Sequence, residues 1–468
     1  MLVNRALFSC AQPLCSMMSM RKILRYLAIA LIVLIVVAVA SFYVVSRPDV
    51  ARYSTAELSG RVPVMAGVEP ETFPTVRIPE VSGFPANTAP RAAKGLAVSR
   101  FADGLDNPRA ILALPNGDVL VAESQAPTKK NESGGIEGAI MKRLMSAAGS
   151  GGPSANRITL LRDADGDGRA EVKLPYLTGL NSPYGMVVVG TTLYVANTDA
   201  LLAFPYVAGA DSITAKPRKI ADLPAAGTNQ HWTKSLIASP DGKSLLVGVG
   251  ADSNIAEKGM AREKNRAAIL EFSIADGKSR IYGAGLRNPV GMGFHPIEAS
   301  LWTVVNERDM LGSDLVPDYL TAVDFGDFFG WPWYYWGGFI DARVAPDTQD
   351  RRQYTRRPDY ALGAHVAPLG MSFARGPALG ERFANGAFIA LHGSWNRVPV
   401  SGYSVVFVPF GAQGTPGDVL PITVLDGFVS ADEAKAFGRP SDAQVAPDGA
   451  LLVADDGANI IWRVTKAG

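Results

Sequence analysis

DAQVAPDGALLVADDG (residues 442–457) and ILALPNGDVLVAES (111–124) are built alike: an apolar run, a Pro/Asn/Asp/Gly turn, and a second apolar run ending in polar residues. Apolar stretches flanking a tight turn read as two antiparallel strands. The unit recurs in MVVVGTTLYVANT (186–198), LIASPDGKSLLVGVG (236–250), GMGFHPIEASLWTVVNERD (291–309) and ERFANGAFIALHGSWNR (381–397). Gly117 and Gly449, the turn glycines of the first and last units, lie 332 residues apart, a mean spacing of about 66. That exceeds the ~40–50 of compact propeller repeats, and four-stranded blades with long loops account for the excess. Six units therefore predict an all-β, six-bladed β-propeller of four-stranded antiparallel blades. A two-sheet sandwich is the alternative, but the span is too long for one.

Composition agrees with a turn-rich β protein. The 468 residues include 48 Gly and 32 Pro, and 47% of the chain is hydrophobic against 19% charged. A formal net charge of +1 argues against a nucleic-acid partner, which needs a clustered basic excess. Cys10 and Cys15 are the only cysteines, so the folded part has no disulfide framework and no thiolate site.

The N-terminal part divides differently. Residues 26–45, YLAIALIVLIVVAVASFYVV, carry no charge and match the length of a membrane-spanning helix. Arg21, Lys22 and Arg25 precede this transmembrane segment, so residues 1–25 are expected in the cytoplasm and the rest in the periplasm or another extracytoplasmic space. Ala38-Val39-Ala40 also suits a signal peptidase, which would release the protein instead of anchoring it. Residues 46–94, with seven prolines from Pro48 to Pro90, read as an extended tether, and the propeller is expected over 95–468. Residues 126–156 interrupt the first unit with Gly/Ser-rich flanks around IEGAIMKRLMSAA, a possible short amphipathic helix or a solvated insertion.

Chemistry concentrates at a few positions. Only four histidines occur, His231, His295, His365 and His392, and three lie in loop-like contexts where a propeller gathers functional groups over its axis. His231 precedes the strand SLIASPDG and Asp252 follows its partner LLVGVG, so a hairpin brings the two near each other. A carboxylate beside imidazole is what a general base requires, and the hairpin geometry favours that role over a purely structural histidine. Arg287 and Asn288 sit on a turn before a strand, in a place where an arginine often only braces the backbone. FGDFFGWPWYYWGGF (325–339) holds nine aromatics in fifteen positions, suited either to packing or to a planar ligand. DADGDG (163–168) places Asp163, Asp165 and Asp167 like a calcium loop but has Leu174 where the last ligand should be, so a hairpin turn competes with a structural calcium.

Taken together, GLRNPVGMGF, NERDMLGSDLVPDYLTAV followed by FFGWP, AHVAPLGMSF, HGSWNR and GRPSDAQVAPDG resemble the glucose/sorbosone dehydrogenase family of six-bladed propellers, from about Asn107 to the C-terminus and in the family's order. The resemblance implies an oxidoreductase that uses pyrroloquinoline quinone (PQQ) and calcium to oxidise a sugar, polyol or related aldehyde. It implies His231 as general base, Asp252 as its support and Arg287 as the contact to the quinone. Asn288, His392, Trp395, Arg397 and Arg439 become cofactor-binding candidates, and the loop Glu307, Arg308 and Asp309 a calcium site formed partly by backbone carbonyls. A respiratory or other electron acceptor must then reoxidise the cofactor. Leu286 stands where the family has histidine, Ser441 where its sugar oxidisers have a second arginine, and their fifth-blade lysine has no equivalent. HGSWNR itself resembles the sorbosone dehydrogenase branch. A propeller lactonase with calcium held by side chains, and a non-catalytic binding propeller of the cell envelope, are the competing readings.

Overall fold

The structure, a computed structural model, describes residues 20–127, 149 and 151–468. The chain forms two units, Met1–Arg47 and Pro48–Gly468. In the first, Met20–Val45 is one α-helix, beginning six residues before the uncharged run. It is long and apolar enough to cross a membrane, a property that an anchor and a signal sequence share.

The second unit is a six-bladed propeller whose blades are antiparallel sheets in simple up-and-down order. The innermost strands are Pro108–Ala113, Met186–Val189, Lys234–Ala238, Pro289–Phe294, Pro368–Phe373 and Pro440–Val445. Five blades take their four strands from consecutive sequence; the sixth borrows its outermost strand, Leu96–Ala102, from the start of the domain, paired antiparallel with Ile460–Lys466. This closure ties the start of the domain to its end through one antiparallel pair. Each of the six seams between neighbouring blades holds one apolar cluster, for example Trp302, Tyr360, Met371 and Ile389 between blades four and five. Burying such side chains is worth about 1.5–3 kcal/mol each, so the seams hold the blades in register.

The proline-rich stretch expected as a tether is instead docked on the propeller. Ser59–Gly60 adds a fifth strand to blade four and Arg91–Ala92 a fifth to blade five. Between them, Glu69 N–H donates to the Leu311 carbonyl (3.1 Å) and Arg77 N–H to the Trp395 carbonyl (2.8 Å). Proline removes single donors without preventing its neighbours from pairing, so proline content alone did not imply a free linker. The helix expected within IEGAIMKRLMSAA lies outside the described residues.

Up-and-down blades sort the loops by end. Connections between blades, and those between second and third strands, emerge at one end of the ring; the tight PNGD and PDG turns emerge at the other. His231, Arg287, Glu307–Asp309, His392–Arg397 and Arg439 all lie in loops of the first kind.

Candidate functional site

His231 sits in the connection from blade two to blade three. Its Nδ1 lies 2.8 Å from the Ala251 carbonyl. A carbonyl can only accept, so Nδ1 carries the proton and Nε2 keeps its lone pair. No hydrogen bond to Nε2 is formed among the described residues. The ring lies against Gly250, where a Cβ would clash with His231 on one side and Asn288 Oδ1 on the other. Burial first, then the nearby Arg287 guanidinium, push the imidazole pKa down to about 3. The ring is therefore a neutral base at every ordinary pH. Gly250→Ala is expected to lower Tm through ~1–3 kcal/mol of overpacking and to reduce turnover by displacing this ring.

Asp252, next to that carbonyl, is fully buried but does not bond to the imidazole. Its Oδ1 accepts the Asn229 N–H at 2.5 Å and its Oδ2 pairs with Arg262 Nε at 3.2 Å. It therefore holds the loop that leads to His231 and leaves the ring to the Ala251 carbonyl.

Arg287 is almost wholly buried. Its Nε donates to the Asn254 carbonyl (3.1 Å), Nη1 to the Glu307 carbonyl (2.6 Å), and Nη2 to Asn254 Oδ1 and Asp309 Oδ2 (both 2.9 Å). Guanidinium has five N–H donors, so one on Nη1 remains. Asp309 Oδ1 in turn accepts Asn396 Nδ2 at 2.9 Å, linking blade four to the HGSWNR loop of blade five. From that loop His392 Nε2 reaches both oxygens of Asp456 in blade six, at 2.9 and 3.0 Å. Asp456 also pairs with Arg109 of blade one, whose guanidinium lies 5.8 Å from the ring of Trp232, the residue after His231. A path of contacts thus runs from Arg287 through blades four, five and six to Arg109 and the loop of His231. Burial first, then Arg439, lower the His392 pKa to about 4, and ionised Asp456 is held well below the usual carboxylate range, His392 and Arg109 outweighing the effect of its burial.

Other candidates have different surroundings. Arg397 donates to the Ser313, Pro399 and Tyr53 carbonyls and pairs with Asp314, so it anchors the docked N-terminal stretch. Arg439 approaches the His392 and Gly393 carbonyls, each at 3.4 Å, and lies over the Tyr403 ring. Trp395 is partly exposed. Ser441 is buried and donates to the Pro108 carbonyl at 2.9 Å, bracketing blades six and one. The cation that its position lacks is present next door, on Arg109. His365 Nε2 pairs with the Gly312 carbonyl at 3.0 Å, while His295 stacks on Phe410 at the other end of the propeller. The aromatic run 325–339 is mainly packing: Phe329, Tyr335 and Trp336 belong to the seam of blades three and four, and Trp331 Nε1 donates to the Asn254 carbonyl at 2.9 Å.

Arg109, Asn254, Asn396 and Asp456 are the site residues that sequence reasoning missed. Asn396 lies in HGSWNR and Asp456 in DAQVAPDGALLVADDG, but nothing local marks either as a site residue, and the site partners of these four side chains lie 33 to 347 positions away.

The orphaned polar groups fit a cofactor that offers both an acceptor and an N–H or O–H donor, as PQQ does. Arg109 Nε and Asn288 Oδ1 are buried without a partner, two groups that a polar ligand would satisfy. The loop Glu307–Asp309 does not fit a calcium ion held by its three carbonyls, because Arg287 occupies that of Glu307, and Asn254 and Arg343 occupy that of Asp309. Arg308 is spent on Glu307 and Asp341 in an ion-paired, fully buried bracket. At DADGDG, carboxylate oxygens of Asp163, Asp165, Asp167 and Glu171 lie within 4.8 Å of one another, exposed and at the end away from His231.

Fold and site together define a six-bladed propeller with a histidine and buried arginines around one end of its axis. The chain belongs to the TrAA12-like family, whose model matches residues 160–318 and 340–467. It is 31% identical over 237 residues to a pyrroloquinoline quinone-dependent pyranose dehydrogenase of Coprinopsis cinerea, an alignment covering 42% of this chain and 32% of that protein. The chain thus matches about a third of that relative's length. Among solved structures it is similar to the Trichoderma reesei family AA12 carbohydrate-active enzyme (TM-score 0.65, 20% identity, 81% of this chain and 98% of that one). The holo PQQ domain of the Coprinopsis cinerea pyranose dehydrogenase gives a TM-score of 0.62 at 20% identity over 82% of this chain and 98% of that one. At these identities the likeness establishes the six-bladed fold.

Proposed function

We propose that the protein is a PQQ-dependent dehydrogenase oxidising a sugar, polyol or related aldehyde, with His231 as general base. The observation that carries this reading is the His231 ring itself: its tautomer is fixed by the Ala251 carbonyl, its Nε2 is unengaged, and Asn288 and Arg287 lie beside it. Family membership supports it, and so does the orphaned polarity of Arg109 and Asn288.

When bound, PQQ supplies the hydride acceptor. Arg109 and Arg439 would be the cations for its carboxylates, Asn288 would offer a polar contact and Trp395 a flat face. His231 Nε2 takes the proton of the substrate hydroxyl, or of a carbonyl hydrate, and the Ala251 carbonyl stabilises the imidazolium that results. The remaining Nη1–H of Arg287 would stabilise the negative charge that the hydride carries to the acceptor. His392 stays neutral and holds Asp456, which keeps Arg109 in place.

Calcium is proposed only as a structural ion at Asp163–Glu171. That position also weakens the lactonase reading, since among the described residues the group suited to a metal lies at the wrong end. HGSWNR supports a sorbosone-type substrate, and the helix Met20–Val45 supports either attachment to a membrane or export, near an electron acceptor.

Titrating the full chain with PQQ, with and without calcium, tests the assignment. Saturable quinone absorbance is expected, together with reduction of an artificial acceptor on adding an aldose panel. Neither binding nor turnover would leave the binding-propeller reading in its place.

A further inference from the structure

The segment that carries His231 has no backbone ladder. Residues 224–233 make no backbone–backbone hydrogen bond among the described residues. Side chains hold the segment instead: Asp252 takes the Asn229 N–H, Arg266 takes the Ala226 carbonyl, and Thr198 Oγ1 donates to the Trp232 carbonyl at 2.9 Å. At His231 itself the fastening is Lys234. Its Nζ donates to the carbonyls of His231 (3.3 Å), Trp232 (3.1 Å) and Thr233 (3.4 Å).

Lys234 opens the innermost strand of blade three and is fully buried, with no carboxylate within ion-pair distance among the described residues. A buried ammonium without a counter-ion is costly, and a merely structural position would be filled more stably by an apolar residue. Its three donors match three consecutive carbonyls, of which only that of Trp232 has a second donor, Thr198 Oγ1, among the described residues. Burial, then Arg266, lower its pKa to about 7, against a smaller opposing pull from Asp199, in keeping with this lack of a partner charge.

We propose that Lys234 is a positioning residue for the reaction: its ammonium gathers the carbonyls of residues 231–233 and so fixes the His231 ring against Gly250 and the Ala251 carbonyl. The role rests on the reading of His231 as general base, but the fastening itself can be measured without it.

The test compares the full chain with Lys234→Met, which keeps the length and removes the donors, and Lys234→Arg, which keeps donors and charge. Hydrogen–deuterium exchange of the protein without cofactor reads the fastening. Amides of 227–233 should exchange at least about tenfold faster in Lys234→Met, with other inner strands unchanged, and return toward wild type in Lys234→Arg. In the PQQ-loaded protein, kcat should fall roughly 10–100-fold in Lys234→Met while the Kd for PQQ stays within about threefold, a split that general loss of structure does not produce. If Lys234→Met fails to fold, Lys234→Gln takes its place on the same criteria. Unchanged exchange at 227–233 overturns the proposal, as does unchanged kcat in an active enzyme. An inactive wild type with the exchange difference intact refutes the dehydrogenase reading and leaves the fastening standing.

Discussion

In His231→Asn, kcat is expected to fall by roughly 10²–10⁴-fold, the range that a positioned general base supplies. Asparagine can still donate to the Ala251 carbonyl, so the loop keeps its anchor while the lone pair of Nε2 is lost. Affinity for PQQ should move by less than about threefold, because the arginines proposed to meet its carboxylates are untouched. The pH profile gives an independent reading. With the imidazole pKa at about 3, the acid limb of kcat in the wild type should lie far below the ~6.5 of a free imidazole, and it should be absent from the residual activity of the variant. The same shift has a stability consequence of definite sign. The unfolded chain protonates this ring from about pH 6.5 downward while the folded chain does so only near pH 3, so the contribution to stability is full above that window and drains as pH falls through it. A kcat within a factor of a few of wild type would remove His231 from the chemistry.

The architecture was legible because it rests on local, repeated signals. Each blade announces itself by a turn such as Pro240-Asp241-Gly242 between apolar runs, and six such turns determine six seams. His231, Arg287 and His392 were legible too, since each lies in a loop flanked by those strands. Pairing was the part that stayed hidden. Asp252 does stand near His231, yet Asn229 and Arg262 claim its carboxylate, and the ring turns to a backbone carbonyl that every residue possesses. Arg397 looked like a cofactor cation, but its partners Tyr53 and Asp314 belong to a docked N-terminal stretch and to blade four, far away in sequence. Arg109 is the converse: nothing local marks it, and only closure of the ring brings Asp456, 347 residues away, to its side. Ring closure creates contacts whose sequence separation is nearly the whole domain, and no windowed pattern carries them.

Arg287→Met tests the other half of the site, and both stability and turnover should suffer. The guanidinium is buried and makes four hydrogen bonds, one of them an ion pair with Asp309 at 2.9 Å. Removing it leaves the Asp309 carboxylate without its charge partner and the Glu307 carbonyl without a donor, a loss of about 3–5 kcal/mol visible as a lower Tm. If the remaining N–H meets developing charge as proposed, its loss should cost a further ~10²–10³ in kcat among molecules that remain folded. The variant also makes a signed electrostatic prediction. Arg287 is the largest charge depressing the His231 pKa after burial, so without it the acid limb of kcat should move to higher pH. Arg287→Lys separates the effects: a lysine keeps the positive charge, so the acid limb should stay low, but three donors cannot satisfy four partners, so Tm should recover only in part. If Arg287→Met lowered Tm while leaving both kcat and the acid limb in place, Arg287 would be a bracket between blades three and four and not a participant in the reaction.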